Sequence, residues 1–256
     1  MEHKITFLIF WMVFGAVIGS FINVCVYRIP RQVSLLFPRS HCPSCSTSLS
    51  WIELIPLIGY LWNRGRCRYC DRTISSRYPI VEVAMAGFGG FSALNGADLR
   101  NVLAIFTLSA FVLLIAIIDY DWQIIYDKVV IAFAISGIMI GSFQAESWQW
   151  MLSEHGAAVS IGAICLLSIA LASHGGLGLG DVKFAAAAGI WLSWQQMILM
   201  LFIAFSSGGL IACALIFFGC KDRKDLIPFG PFLTLGLWLT YVYGKQIMAW
   251  YWVLFA

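Results

Sequence analysis

The chain has 256 residues, of which 61% are hydrophobic and only 11% are charged. Globular domains average roughly 45–50% apolar and 25% charged residues, so this composition excludes an ordinary soluble protein. The mean hydropathy of +0.85 instead predicts a polytopic membrane protein. Because apolar runs occupy most of the chain and the net charge is only +3, a nucleic-acid-binding module is not expected.

Eight apolar runs follow one another along the chain, and each is a candidate helix. They lie at about residues 5–27, 79–96, 99–118, 124–143, 156–173, 182–192, 197–219 and 231–255. The run at 182–192 is too short to cross a bilayer alone, since a span needs about 20 apolar residues. No small-residue cleavage site follows the first run, which favours a retained helix over a signal peptide. The predicted fold is an all-α polytopic membrane protein with about eight transmembrane helices.

One extramembrane segment separates the first two runs. Residues 28–78 contain eight arginines, two acids and four cysteines. We therefore expect three parts: a first transmembrane helix at 1–27, a cytosolic cysteine module at 28–78, and a seven-helix membrane domain at 79–256.

The distribution of lysine and arginine predicts the orientation, because cytoplasmic loops near span ends retain positive charge. If the eight runs alternate across the membrane, thirteen basic residues fall on one side and two on the other. The thirteen are the eight module arginines, Lys128, Lys183, Lys221, Arg223 and Lys224, and the two are Lys4 and Arg100. Both termini are expected outside the cytosol, and the cysteine module and the segments 119–127 and 175–183 inside it.

The module carries two C-x-x-C pairs, Cys42 with Cys45 and Cys67 with Cys70. Two such pairs at this separation are typical of zinc knuckles, in which four thiolates hold one ion tetrahedrally. Zinc would stabilise a module that is too small for a substantial core. The alternative is two disulfides or a redox pair, which the expected reducing compartment disfavours.

Two carboxylates lie at the cytosolic edge of predicted spans. Asp119 closes the third run, and Asp181 opens the short sixth run within the sequence Gly178-Leu-Gly180-Asp181. An acid at a span end is a functional candidate unless a partner or open water explains it. Two carboxylates that lie close together share a proton, so that one can activate water while the other protonates a leaving amide.

Simpler interpretations of the acids stay open at this point. An aspartate at a helix start is often only a cap, and one beside lysine is often a solvated anchor. Asp121 and Asp127 fit that description better than Asp119 and Asp181 do. Glu82, inside the second run, is either functional or a partner of Arg77.

The motifs taken together resemble the type IV prepilin peptidases, the bifunctional leader peptidases and N-methyltransferases of bacterial pilus and type II secretion systems. The resemblance runs almost end to end and is specific in the order and spacing of its motifs. These are Gly19-Ser-Phe with Asn23-Val, Arg28-x-Pro30, the two C-x-x-C pairs, Pro56-Leu, Gly65-Arg-Cys, Arg77-Tyr-Pro-x-Val-Glu82, Ile118-Asp119, Gly178-x-Gly-Asp181-x-Lys183 and Pro228-Phe-Gly-Pro231.

The resemblance implies a function in the bacterial inner membrane. Its catalytic aspartates map onto Asp119 and Asp181, and its substrates are prepilins or pseudopilins, cleaved at the cytosolic face after the leader. The new N-terminus is then methylated with S-adenosylmethionine, for which Gly65 and Arg66 are the candidate binding residues; a purely structural role in a knuckle turn is the alternative for these two. The cysteine pairs are similar to the family's zinc-binding knuckles.

Two other classes of function stay in view. One is a general intramembrane aspartyl protease that shares the G-x-G-D acid but lacks methyl transfer. The other is a non-enzymatic membrane scaffold with a zinc knuckle, in which the acids would serve as anchors. The expected partners are the pilin substrates and the lipid bilayer, without nucleic acid, and the sequence does not indicate an oligomeric state.

Overall fold

The structure is a computed structural model that describes residues 2–142, 148–173, 176–222, 225 and 227–255. Phe143, Gly175, Arg223 and Lys224, which entered the predictions above, lie outside these residues. The described residues form helices and no strand, so the all-α prediction is confirmed for them. The helices are α1 (Glu2–Arg28), α2 (Ile58–Trp62), α3 (Arg77–Asn95), α4 (Leu99–Trp122), α5 (Asp127–Ser142), α6 (Trp148–Ala172), α7 (Leu179–Gly189), α8 (Trp194–Phe217) and α9 (Gly230–Phe255).

Every apolar run of the sequence coincides with one of these helices, and α2 is the additional one. Four segments are long and apolar enough to cross a membrane by length and composition. They are His3–Arg28, Leu99–Trp122, Ser153–Ala172 and Trp194–Phe217. The protein is therefore an integral membrane protein, whereas a total of eight spans stays a prediction.

The chain forms two compact units, unit 1 from Met1 to Ala110 and unit 2 from Phe111 to Ala256. The division falls within α4.

In unit 1, α1 and α3 pack with their backbones in direct contact. A Cβ atom at Gly19 would lie 2.8 Å from the Cα of Glu82, and one at Gly15 or Gly89 would collide with the carbonyl oxygen of Met85 or Trp11. Side chains larger than hydrogen at these positions would force the helices apart. Asn23, near the end of α1, donates a hydrogen bond to the carbonyl of Tyr78 at the start of α3. The two helices therefore enter and leave the cysteine module at the same end.

In unit 2, the short helix α7 is packed mainly through small residues. A Cβ at Gly189 would lie 2.6 Å from the Cα of Val159 on α6, and one at Gly162 would lie 3.0 Å from the carbonyl oxygen of Ala185. At about 16 Å, eleven helical residues reach only half of the roughly 30 Å hydrocarbon layer. The helix is thus held by its neighbours, and Asp181, in its first turn, is buried inside the unit.

Candidate active site

The two predicted acids are both buried in unit 2. Asp119 lies in the last turn of α4 and is 5% exposed, and Asp181 is the third residue of α7 and is 9% exposed. The two carboxyl groups are near enough to interact electrostatically. Buried charges are costly unless they are paired or hydrogen-bonded, so this arrangement requires specific partners.

Asp119 finds its partner at the start of the last helix. The backbone N–H of Gly230, the first residue of α9, donates a buried hydrogen bond of 2.8 Å to Oδ2 of Asp119. A Cβ atom at position 230 would lie 2.6 Å from that oxygen and 2.7 Å from the carboxyl carbon. Only glycine therefore lets the backbone approach the carboxylate this closely.

The glycines before Asp181 shape its surroundings. Gly178 is extended and caps α7, and its carbonyl accepts a hydrogen bond of 3.1 Å from the Asp181 N–H. The Asp181 carboxyl lies close to this residue, since a Cβ at Gly178 would lie 3.5 Å from its Oδ2. A Cβ at Gly180 would lie 3.1 Å from the Cβ of Ile125, so this glycine allows the loop after α4 to approach α7.

The neighbouring acids are placed differently. Asp127, the first residue of α5, forms an ion pair with Lys183 of α7, with oxygen–nitrogen distances of 2.8 and 2.9 Å. More than half of each side chain is exposed. Asp121 is exposed as well. Only Asp119 and Asp181 therefore combine burial with mutual proximity among these four acids.

Glu82 has a structural role in unit 1. It is buried in α3, and its Oε2 accepts a hydrogen bond of 2.7 Å from the backbone N–H of Leu57 in the module. Leu57 itself has a left-handed backbone, with φ of 61°. Glu82 thus fastens the module to the first turns of α3.

The four module cysteines converge as predicted. The sulfur atoms of Cys42, Cys45, Cys67 and Cys70 all lie within 4.8 Å of one another, an arrangement that can hold a metal ion. The Cys42–Cys70 sulfur distance is 3.8 Å and the Cys45–Cys67 distance is 4.0 Å. Disulfide sulfurs lie about 2.05 Å apart, so none of these pairs is bonded.

The two knuckles have the same backbone conformation at a constant offset along the chain. The N–H of Cys42 bonds to the carbonyl of Thr47, and the N–H of Cys67 bonds to the carbonyl of Arg72. The residue after each second cysteine is left-handed: φ is 58° at Ser46 and 54° at Asp71.

The shared conformation favours a thiolate at the first cysteine of the cluster. Backbone hydrogen bonds from Cys45 and Ser44 lower the pKa of the Cys42 thiol to about 6. A thiol with such a pKa is mostly thiolate near neutral pH, and the thiolate is the form that binds metals.

Beside the knuckles, unit 1 contains a cavity of about 530 Å³ between the module and the ends of α1 and α3. Its lining includes carboxylates, arginines and aromatic rings: Glu53, Glu82, Arg31, Arg72, Tyr60 and Tyr78. Nothing in the sequence indicated this cavity, because its lining is scattered between Ser20 and Glu82.

The predicted cofactor residues lie next to this cavity but do not line it. Gly65 is left-handed, with φ of 69°, and a Cβ there would lie 2.9 Å from the hydroxyl of Tyr60. Arg66 is exposed and forms an ion pair of 2.9 Å with Asp71. Gly65 therefore packs against Tyr60, which lines the cavity, whereas Arg66 is paired with Asp71 within the second knuckle.

Comparison with known proteins places both units in one family. Residues 13–95 match the bacterial peptidase A24 N-terminal domain, and residues 106–213 match the type IV leader peptidase family. No solved structure matches the chain.

Curated relatives match over nearly the full length. A prepilin leader peptidase/N-methyltransferase of Aeromonas hydrophila is 30% identical over 98% of this chain and 96% of its own. The protein of the same name from Bacillus subtilis is 30% identical over 93% and 95%, and that from Pseudomonas aeruginosa is 27% identical over 96% and 93%. The chain therefore belongs to the type IV leader peptidase family and is an enzyme of the prepilin leader peptidase/N-methyltransferase type.

Proposed function

We propose that this enzyme removes the leader of type IV prepilins or type II secretion pseudopilins, with Asp119 and Asp181 as its catalytic residues. The observation that carries the proposal is the pair of buried, interacting carboxyl groups in unit 2, one of them fixed by the Gly230 N–H. Two carboxyls in such a site do not both ionise easily, so they hold one proton between them.

Because the two carboxyls share one proton, one can act as the general base and the other as the general acid in peptide hydrolysis. The ionised carboxyl takes a proton from the attacking water, and the protonated one gives its proton to the nitrogen of the leaving amide. Because the Gly230 N–H occupies Oδ2 of Asp119, we infer that its other oxygen, Oδ1, faces the water. The bond broken is the peptide bond at the leader junction, and a new carboxylate and a free N-terminal amine result.

The substrate reaches this site through the membrane. A prepilin carries an apolar N-terminal helix, which can enter sideways between the helices of the enzyme and leave its leader junction at the cytosolic edge. We propose that the enzyme lies in the bacterial inner membrane with about eight membrane helices and both termini in the periplasm. The thirteen-to-two asymmetry of basic residues supports this orientation.

The cysteine cluster is proposed as a structural zinc site. Tetrahedral zinc with bonds of about 2.3 Å to sulfur places neighbouring sulfurs about 3.8 Å apart. The distances of 3.8 and 4.0 Å in the cluster fit this geometry. All four positions are taken by cysteine sulfur, which leaves no open position for water and favours a role in folding.

The methyl donor, S-adenosylmethionine, is assigned to the cavity of unit 1. Its volume of about 530 Å³ falls in the range of small-molecule sites, about 300–1,000 Å³. Glu53, Glu82 and the Tyr60 ring suit a sulfonium cation, and Arg31 and Arg72 suit a carboxylate. When bound, the donor would supply an electrophilic methyl group for the free amine, which would lose a proton on methylation.

Mass spectrometry of a model prepilin tests both reactions together. Membranes containing wild type, Asp119→Asn, Asp181→Asn or the control Asp127→Asn are incubated with the prepilin and S-adenosylmethionine. We expect wild type and the control to yield a leaderless product heavier by one methyl substitution, and neither active-site variant to yield any. Cleavage by either variant would show that the acids are wrongly assigned.

The alternatives make different predictions in the same assay. A general intramembrane protease would still cleave a prepilin whose leader glycine is replaced, and it would cut within the apolar helix. A scaffold without activity would leave the prepilin intact in the wild-type membranes as well.

A further inference from the structure

The short helix α2 directs its apolar side outward. Ile58, Leu61 and Trp62 are spaced as i, i+3 and i+4 and therefore share one face of the helix. Leu61 is 72% exposed and Trp62 is 76% exposed. The opposite face is turned inward: Gly59 packs on the backbone of Glu53, and Tyr60 lines the cavity.

This face lies outside the four candidate membrane spans, so lipid tails around a span do not explain its exposure. The module contains further exposed apolar side chains in its loops, namely Leu36, Phe37 and Trp51, each more than 70% exposed. Exposed apolar surface on this scale marks a site of interaction with a protein or a membrane.

Positive charge accompanies this surface. Seven of the eight module arginines are exposed, and Arg64, Arg66 and Arg68 follow α2 directly in the chain. The module has only two acids, whereas in the rest of the chain eleven acids outnumber eight basic residues. Tryptophan and leucine beside a cluster of arginines form the pattern of helices that lie in the headgroup layer of anionic membranes.

The two helices on either side of the module, α1 and α3, hold it at the membrane surface. α1, a candidate span, ends at Arg28, and α3 begins at Arg77 at the same end of the helix pair. Within unit 1, Glu82 of α3 binds the backbone of Leu57, immediately before α2. The helix is therefore fastened next to the place where the chain leaves the bilayer.

We propose that the outer face of α2 is a docking surface for anionic phospholipid. Ile58, Leu61 and Trp62 enter the headgroup layer, and the arginines that follow bind lipid phosphates. The module is thus held flat against the membrane, and the cavity behind α2 stays beside the interface.

Photocrosslinking in the full-length protein tests this placement. Trp62→p-benzoylphenylalanine places the probe on the outer face, and Tyr60→p-benzoylphenylalanine places it on the inner face of the same helix. Both proteins are reconstituted into vesicles of phosphatidylglycerol with phosphatidylcholine, irradiated, and analysed for lipid adducts by mass spectrometry. We expect at least tenfold more lipid adduct at position 62 than at position 60.

The charge requirement is tested in the same vesicles. Arg64→Gln with Arg68→Gln, or vesicles of phosphatidylcholine alone, should lower the adduct yield at position 62 at least threefold. Equal yields at positions 60 and 62 would overturn the proposal, and so would crosslinks from position 62 to added prepilin or to a second copy of the enzyme. Leader cleavage checks that each protein is folded, and Leu61→p-benzoylphenylalanine repeats the test on the same face if the Trp62 variant is not.

Discussion

Gly230→Ala separates the contribution of the backbone donor from that of the acids themselves. The new Cβ would lie 2.6 Å from Oδ2 of Asp119, so either the carboxylate or the start of α9 has to move. Only Gly65 and Gly219 have a positive φ among the glycines of the described residues, so a left-handed backbone at position 230 does not stand against alanine. We expect the substitution to act mainly through contact with Asp119.

The size of the effect follows from the hydrogen bond that is lost. A bond to a charged group contributes about 1.5–3 kcal/mol, and about 1.36 kcal/mol corresponds to a factor of ten in rate, so cleavage should slow about 10- to 150-fold. The loss should be smaller than that of Asp119→Asn, which removes the carboxylate itself.

The assay is the initial rate of leader removal from a model prepilin in reconstituted membranes. Methyl transfer to a pilin supplied without its leader is measured in parallel, because that reaction is assigned to unit 1 and reports that the enzyme is folded. Gly209→Ala is the matched control: it lies in the same unit, and its Cβ would meet no other atom within 4 Å.

Two results would refute the reasoning. If Gly230→Ala cleaves the prepilin at the wild-type rate, the N–H of residue 230 does not position Asp119. If cleavage and methyl transfer fall together, or if Gly209→Ala is equally impaired, the substitution acts on folding and not on the carboxylate.

Three further predictions concern residues away from the two acids. Lys183→Met removes the partner of Asp127. Because this ion pair is exposed, we expect thermal melting to show a stability change of about 1 kcal/mol or less, together with normal leader cleavage. A loss of cleavage as large as that of Asp181→Asn would contradict this. Gly65→Ala should push the Tyr60 ring into the cavity and lower methyl transfer at least tenfold with unchanged leader cleavage, whereas Gly87→Ala, with open space around its Cβ, should leave both reactions intact. Cys42→Ser should lower both the zinc content, measured by elemental mass spectrometry, and the melting temperature, while cleavage per folded molecule is unchanged. A normal zinc content and a normal melting temperature would argue against a structural zinc site.

The length of the apolar runs was sufficient to predict the long helices, because a membrane helix needs an unbroken apolar run. α2 was missed, since five residues are far too few to form an apolar run of that length. Its apolar face also points outward, whereas the apolar face of a helix usually packs against the protein core. The sequence therefore indicated a charged module correctly but not the apolar surface that accompanies the charge.

The candidate site was predictable only in part, for a related reason. Asp119 and Asp181 stood out as acids at span ends, and their burial and proximity agree with that interpretation. Gly230 was named only within the Pro228-Phe-Gly-Pro231 motif and without a role, because its contribution is a backbone N–H that every residue except proline possesses. Its special property, the absence of a Cβ beside a carboxylate, appears only when residues 111 positions apart are brought together. The Asp127–Lys183 ion pair was not predictable either, because it joins residues 56 positions apart.

The hydrogen bond between Asp119 and Gly230 also has a consequence for the synthesis of the enzyme on the ribosome. A ribosome that adds roughly 5–20 residues per second needs about 5 to 20 seconds to travel from the codon of the acid to that of its donor. When Asp181 has joined Asp119 in the nascent chain, the helix that supplies the N–H has still to be made. The bond therefore forms only after α9 has begun to be synthesised, and a translation product that ends before α9 would lack the backbone donor to Asp119.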